Sequence, residues 1–192
     1  PEKISGPAIF NVPGNKSEML KVAEEVSIEK DISSGNDDAG ALRWLLTFGL
    51  KGAAAYADHA QILGKESSEI YAEFYRILDF LAEKPEDIGA LINENMNCGQ
   101  LNLKVMGLLD AANTESYAHP EPTQVRITPV KGKAILVSGH DLKDLEELLK
   151  QTEGKGINVY THGEMLPANS YPGLKKYKHL VGNYGGAWQD QR

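Results

Sequence analysis

The carboxyl-terminal part of the chain combines short apolar runs with one amphipathic stretch. Residues 134–137 and 157–160 are mostly apolar and contain β-branched side chains, a pattern that predicts two buried strands. Between them, leucines recur at helical spacing from Leu142 to Leu149, and Gly154 ends the run. Asp141 directly precedes the first leucine, so we expect it to cap this helix. Strand, helix and strand joined by short loops predict a βαβ unit with two parallel strands. After Glu164 we expect a Pro-rich loop, then a short basic helix at about residues 174–177, and a third strand near residues 179–181.

The preceding residues have the pattern of helices. Apolar side chains at helical spacing predict helices at about residues 17–29, 37–63 and 67–84. A further helix is expected from Pro85, with a break near Cys98 and Gly99 before it resumes at residues 101–112. The helix at residues 37–63 carries small residues, including Gly49 and Gly52, that would let another helix approach closely.

The change from helices to strand–helix alternation predicts the domain organisation. We expect a Pro- and Gly-rich lead segment with a short helix at residues 1–36, a helical bundle at residues 37–120, and an incomplete α/β portion at residues 121–192. The predicted fold class is α+β/α in several parts. An amino-terminal helical bundle is followed by a Rossmann-like α/β portion with a parallel sheet.

Composition and charge exclude several classes of function. The 192 residues carry a net charge of −7, which disfavours binding to nucleic acid or to an anionic membrane surface. No apolar run approaches the roughly 18 residues that a membrane span needs, and the amino end lacks the pattern of a signal peptide, so we expect a cytoplasmic protein. Cys98 is the only cysteine, which excludes an internal disulfide and a CxxC metal site within this chain.

Two residues directly beyond the predicted strand ends are the main candidates for chemistry. His140 follows the first strand and a glycine, and Glu164 follows the second strand in the sequence THGEMLP. Because α/β proteins bind ligands at the carboxyl ends of parallel strands, we expect a ring nitrogen of His140 and the carboxylate of Glu164 to share one ligand. The alternatives are that His140 only forms a hydrogen bond at the helix start and that Glu164 is a solvated loop residue.

The remaining candidates have plainer interpretations beside the functional ones. His162 lies at the end of the second strand. We interpret it as a residue that supports the two main candidates. Ser138 is either a hydrogen-bond donor at the first strand end or a turn residue. We interpret His59 as a histidine satisfied within the helical bundle, His119 as part of a Pro-rich connector, and Cys98 as a small buried residue.

The residues around these candidates resemble those of a known family. SGHDL at residues 138–142 and THGEMLPA at residues 161–168, with the sequence around them, closely resemble the hybrid cluster proteins, also called prismane proteins or hydroxylamine reductases. The stretches LLTFGLKGAAAYADHAQILG and LLDAANTESYAHPEPTQV resemble the helical part that precedes these motifs in the same family. The resemblance covers about residues 39–192.

The resemblance implies an iron–sulfur oxidoreductase. Members of the family carry a hybrid iron–sulfur–oxygen cluster, whose ligands include the histidine of SGHDL and the glutamate of HGEMLPA, here His140 and Glu164. The family is associated with reduction of hydroxylamine to ammonia and water and with reduction of nitric oxide. His162 would then act as a catalytic residue that relays protons. The implied partners are a small nitrogen-oxide substrate and an electron-donor protein.

The chain departs from the family pattern in two respects. Family members have an amino-terminal cysteine motif for a second, cubane-type iron–sulfur cluster, whereas residues 1–38 contain no cysteine. The remaining ligands of the hybrid cluster, several cysteines and a further glutamate, lie in the family beyond a sequence like GGAWQDQ. We therefore expect part of a longer reductase, which needs the rest of the enzyme chain or a second copy to bind iron. The alternative is a cluster-free binding or interaction module derived from this family.

Overall fold

The first part of the chain is helical, as the sequence predicts. The computed structural model describes residues 11–186 and residue 189, so residues 1–10 of the predicted lead segment lie outside the described residues. The helices are α1 (Lys16–Glu25), α2 (Ile28–Ile32), α3 (Asp37–Ile62), α4 (Ser68–Ala82) and α5 (Ile88–Tyr117). No helix in the described part of the chain has the length and apolar character that crossing a membrane requires.

The chain divides into two compact units. The first unit contains Pro1–Leu50 and Tyr75–Gly99, and the second contains Lys51–Phe74 and Gln100–Arg192. The sequence predicts a division into separate domains at residues 1–36, 37–120 and 121–192. Compact units within one chain do not test that division, so it stays a prediction.

In the first unit, the single helix predicted at residues 17–29 is wrong. The structure has two helices there, because Ser27 begins a new one. The side chain of Asn15 accepts a hydrogen bond from the Glu18 amide at 3.0 Å and caps α1. The hydroxyl of Ser27 accepts one from the Lys30 amide at 3.2 Å and caps α2. A serine that satisfies a free amide in this way favours a helix start over the continuation of the previous helix.

Helix α5 is continuous, so the predicted break near Cys98 and Gly99 is also wrong. Cys98 is 5% exposed, and a Cβ built on Gly49 would lie 3.2 Å from its sulfur. This contact agrees with the prediction that Gly49 lets another helix approach, whereas Gly52 has no such neighbour within 4 Å. Burial raises the pKa of the Cys98 thiol, with Glu94 as a smaller cause. Cys98 is therefore a packing residue in the middle of a helix, which agrees with its predicted role as a small buried side chain.

The second unit contains the predicted parallel sheet. Strand β1 (Lys133–Val137) pairs with β2 (Ile157–Thr161), which pairs with β3 (Leu180–Asn183), and the described sheet has the order β1-β2-β3 with parallel neighbours. Helix α6 (Leu142–Thr152) connects β1 to β2, as the leucine pattern predicts. Residues Gly163–Ser170 form a 3₁₀ segment rather than the expected loop, and the short helix α7 (Pro172–Lys175) follows.

The hydrophobic core of the second unit lies between the sheet and the elements that connect its strands. Leu145, Leu149 and Val159 are fully buried, and Met165 is 3% exposed. The other buried members of this cluster are Tyr117, Ala168, Leu174 and Tyr177. Because α6 buries two leucines one turn apart against the sheet, its position relative to β1 and β2 is fixed by packing.

The segment between α5 and β1 is tied to the other elements of the second unit. The Glu121 amide donates to the Ser170 carbonyl at 3.0 Å, and the Glu121 carboxylate accepts from Lys175 at 2.6 Å. Further along, the Asn183 amide of β3 donates to the Arg126 carbonyl at 2.9 Å. The Pro-rich connector is thus a bound part of the unit rather than a free linker.

Candidate metal centre

The carboxyl ends of the three strands coincide. Val137 pairs with Thr161, and Thr161 pairs with Asn183. The ladder continues for one hydrogen bond beyond each pairing, because the His162 amide donates to the Val137 carbonyl and the Tyr184 amide donates to the Thr161 carbonyl, both at 2.8 Å. Side chains that directly follow the strands are therefore presented at one edge of the sheet, as expected for a ligand site in an α/β fold.

The segment after β1 presents His140 at the start of α6. Gly139 has φ +121°, a conformation that L side chains rarely adopt, and it turns the chain away from the strand. The Asp141 carboxylate then caps α6 by accepting hydrogen bonds from the Lys143 amide at 2.7 Å and from the Asp144 amide at 3.2 Å. This confirms the predicted helix cap and fixes the backbone next to His140.

The segment after β2 presents Glu164 beside a buried anchor. Gly163 has φ +54° and begins the 3₁₀ segment. Met165 then enters the core, whereas the Glu164 side chain is 52% exposed. Buried Asn169 donates to the Thr161 hydroxyl at 2.7 Å and to the Leu166 carbonyl at 3.0 Å, so the segment is bonded to the end of β2. Glu164 therefore points outward from a segment that is held on its other side.

His140 and Glu164 are in direct contact, which confirms the predicted proximity. Nε2 of His140 meets Oε2 of Glu164, and the two side chains are 48% and 52% exposed. An imidazole nitrogen and a carboxylate oxygen at one point are donors that iron accepts. In residues 11–186 no group of three or more His, Cys, Asp and Glu side chains is placed to bind a metal ion. The two residues fit part of a ligand set, and their role as metal ligands stays a prediction.

His162 lies at the same edge and contacts different neighbours. Its Nδ1 is 3.5 Å from the Ser138 hydroxyl. The ring also lies against Gly185, where a Cβ would overlap its atoms and where φ is +113°. Ser138 thus lies within hydrogen-bond distance of His162, which agrees with its interpretation as a hydrogen-bond donor at the first strand end. The catalytic role of His162 stays a prediction.

Two residues of this site were not predicted from the sequence. Tyr56 of α3 contacts His140 edge-on, with ring centroids 6.3 Å apart. Nε2 of His59, one turn further along α3, lies 4.0 Å from Oδ2 of Asp141. The prediction that His59 is satisfied within a helical bundle misses this contact with the start of α6. The spacing of Tyr56 and His59 places them on one face of α3 and could show that they act together. No sequence pattern identifies His140 and Asp141, which lie far away in the chain, as the residues that they contact.

The chain matches a known protein family over nearly its whole length. The model of the Prismane/CO dehydrogenase family matches residues 8–192. The chain belongs to this family. A related protein named hydroxylamine reductase, from Acidithiobacillus ferrooxidans, is 54% identical over 192 residues. Another of that name, from Acidithiobacillus ferridurans, is 52% identical over 192 residues. Each match covers 100% of this chain and 34% of the relative, so the chain spans about a third of the relatives' length.

Proposed function

We propose that this chain is part of a hydroxylamine reductase in which His140 and Glu164 are two ligands of a hybrid iron–sulfur–oxygen cluster. The direct contact between Nε2 of His140 and Oε2 of Glu164 carries the proposal. Membership of the Prismane/CO dehydrogenase family and two relatives named hydroxylamine reductase support the reaction class. The remaining ligands, and those of a second, cubane-type cluster, come from the rest of the enzyme chain.

The proposed reaction is the two-electron reduction of hydroxylamine. Two electrons from a donor protein and two protons break the N–O bond and give ammonia and water. The cluster, when bound, supplies these electrons and an iron atom that accepts the nitrogen-oxide substrate. Nitric oxide is the second proposed substrate, since it also presents a small N–O group.

The residues of this chain have three separate tasks in the proposed site. His140 and Glu164 would each coordinate iron through one atom, and their half exposure leaves them open to a metal held by further ligands. His162 holds a proton close to the substrate, because imidazole is the side chain best suited to proton transfer near neutral pH. The Ser138 hydroxyl at Nδ1 and the backbone at Gly185 limit the orientation of the His162 ring.

The proposal is tested by the full-length protein, purified without oxygen, with the single changes His140→Ala and Glu164→Gln. Iron and acid-labile sulfide content, an electron paramagnetic resonance (EPR) spectrum, and the rates of hydroxylamine and nitric oxide reduction with a reduced viologen dye are measured. We expect both variants to lose the hybrid-cluster signal and on the order of 100-fold or more of the activity, because loss of a residue that only supports a metal ligand already costs about 10–100-fold. The matched controls His119→Ala and Glu153→Gln change exposed residues and should behave as the wild-type protein.

Two results would contradict the proposal. A fully active His140→Ala variant with an unchanged spectrum would exclude this residue as a ligand. A wild-type full-length protein that contains no iron after anaerobic purification would favour the cluster-free binding or interaction module.

A further inference from the structure

Helix α3 contacts the loop that carries His140 through an aromatic side chain. The rings of Tyr56 and His140 meet edge to face, with centroids 6.3 Å apart and an interplanar angle of 74°. The His140 side chain is 48% exposed, whereas Tyr56 is only partly exposed. Tyr56 therefore covers one side of a ring that is otherwise about half open to solvent.

His59 contacts Tyr56 and Asp141, the residue that follows His140. Tyr56 and His59 lie on one face of α3 and meet edge to face, with centroids 5.9 Å apart and an interplanar angle of 83°. Nε2 of His59 is also 4.0 Å from Oδ2 of Asp141. Because Oδ1 of Asp141 caps α6, one carboxylate faces both the helix start and α3. The residue after His140 is thus fixed from two directions.

We propose that Tyr56 is a positioning residue that holds the His140 ring with Nε2 directed toward Glu164, and that His59 supports it. This inference rests on the proposed function, in which His140 is an iron ligand. A histidine that follows a glycine with φ +121° has no strand pairing of its own to fix it, and its ring can turn about two side-chain bonds. A contact from a long helix restricts that rotation, as supporting residues around metal ligands do.

The experiment compares Tyr56→Ala with Tyr56→Phe in the full-length protein. Packing by the ring predicts that Tyr56→Phe keeps the wild-type EPR spectrum and iron content, because the phenyl ring is retained. Tyr56→Ala should alter the spectrum and lower the turnover on the order of 10-fold or more, the range found for residues that support metal ligands. His59→Gln should change the same readouts in the same direction by less. The matched control is Tyr75→Ala, at a tyrosine that is 73% exposed.

A second measurement reads the position of His140 without iron. In the iron-free full-length protein with isotope-labelled histidine, Tyr56→Ala should shift the His140 ring resonances, since it removes a neighbouring aromatic ring. Far-UV circular dichroism identifies variants that fail to fold, and Tyr56→Leu then replaces Tyr56→Ala. Unshifted His140 resonances together with a wild-type EPR spectrum in Tyr56→Ala would overturn the proposal. A loss in Tyr56→Phe as large as in Tyr56→Ala would overturn it too, because the hydroxyl would then be the essential group.

The same set of variants separates this inference from the proposed function. If His140→Ala loses the cluster signal while Tyr56→Ala retains it, only the positioning role fails. If His140→Ala retains the cluster signal, the ligand role fails, and the positioning role for Tyr56 fails with it.

Discussion

Glu94 is a buried carboxylate of α5 whose charge should stabilise the first unit. Its side chain is 8% exposed, and Oε1 accepts a hydrogen bond from Nη2 of Arg76 at 2.5 Å. Oε2 accepts one from the Asn97 amide group at 3.2 Å. The Arg76 hydrogen bond lowers the pKa of Glu94, against the effect of burial, and Asn97 lowers it further. Replacement by glutamine keeps the size of the side chain and removes its charge.

We expect Glu94→Gln to be less stable than the wild-type protein by about 1–2 kcal/mol at pH 7, because a hydrogen bond to a charged group contributes about 1 kcal/mol more than a neutral one. The glutamine side chain has only one oxygen acceptor. Its NH₂ group must therefore face one of two other donors, the Asn97 amide group or the Arg76 guanidinium group. Since the folded pKa of Glu94 lies below its unfolded value, the stabilisation is complete above the unfolded pKa of about 4.3 and is lost as the pH falls through the folded pKa. The difference between the two proteins should therefore close in acid.

The measurement is urea unfolding at pH 7 and at pH 3, followed by the fluorescence of Trp44. This tryptophan lies in the first unit, where its indole donates to Asp31 at 2.9 Å. The second tryptophan, Trp188, is replaced by phenylalanine in both proteins. The matched control Glu83→Gln, at an exposed residue of the same unit, should change the free energy of unfolding by less than about 0.5 kcal/mol. Equal stability at pH 7, or the same difference at both pH values, would refute the reasoning.

Three further changes test the second unit. Asp141→Ala should lower the free energy of unfolding by about 1 kcal/mol, because α6 loses its cap. Asp141→Asn should keep most of the stability of the wild-type protein, because asparagine also caps helices. Urea unfolding followed by circular dichroism measures both variants. The Tyr117 hydroxyl is buried and has no hydrogen-bond partner among the described residues, and burial raises its pKa. Tyr117→Phe should therefore raise the free energy of unfolding by up to about 1 kcal/mol in the same assay, and a loss would contradict this account. In the full-length protein, Gly185→Ala should displace the His162 ring, which a shift of its resonances and a lower rate of the proposed hydroxylamine reduction would report, with Gly154→Ala as a control for φ alone.

The α/β part of the chain could be predicted because its signals are local. The predicted strands at residues 134–137 and 157–160 differ from β1 and β2 by one residue each. Asp141 caps α6 as its position before the leucine pattern indicates. Once two parallel strands are joined by one helix, the residues after them must reach the same sheet edge. The contact between His140 and Glu164 was therefore predictable from short-range patterns alone.

The errors in the helical part arise where packing or a local hydrogen bond overrides propensity. Glycine after Cys98 suggests a break, and glycine inside a helix costs about 1 kcal/mol relative to alanine. The continuous helix α5 offsets this cost by burying Cys98 against Gly49. Ser27 has the opposite effect, since its side chain caps a new helix where apolar spacing alone predicts a continuous one. Neither result follows from hydrophobic periodicity.

The supporting contacts of the site could not be predicted, because they join residues far apart in the sequence. Tyr56 and His59 belong to a helix whose apolar face gives no indication of its neighbour. The predicted loop after Glu164 is a 3₁₀ segment because Met165 and Ala168 are buried in the core. A short segment with proline predicts a loop unless the burial of its apolar side chains is known.

The position of the two donors depends on the sheet and its core more than on the loops themselves. Val137 and Thr161 are paired, so the segments that follow β1 and β2 start level with each other. Each donor then has a fixed neighbour, since Asp141 caps α6 next to His140, and Met165 enters the core next to Glu164. Half-exposed side chains with fixed neighbours could bind a metal ion that carries further ligands, without rearrangement of the backbone. A one-residue slip of β1 against β2 would separate them, so the proposed cluster site requires the parallel register and not only the two motifs.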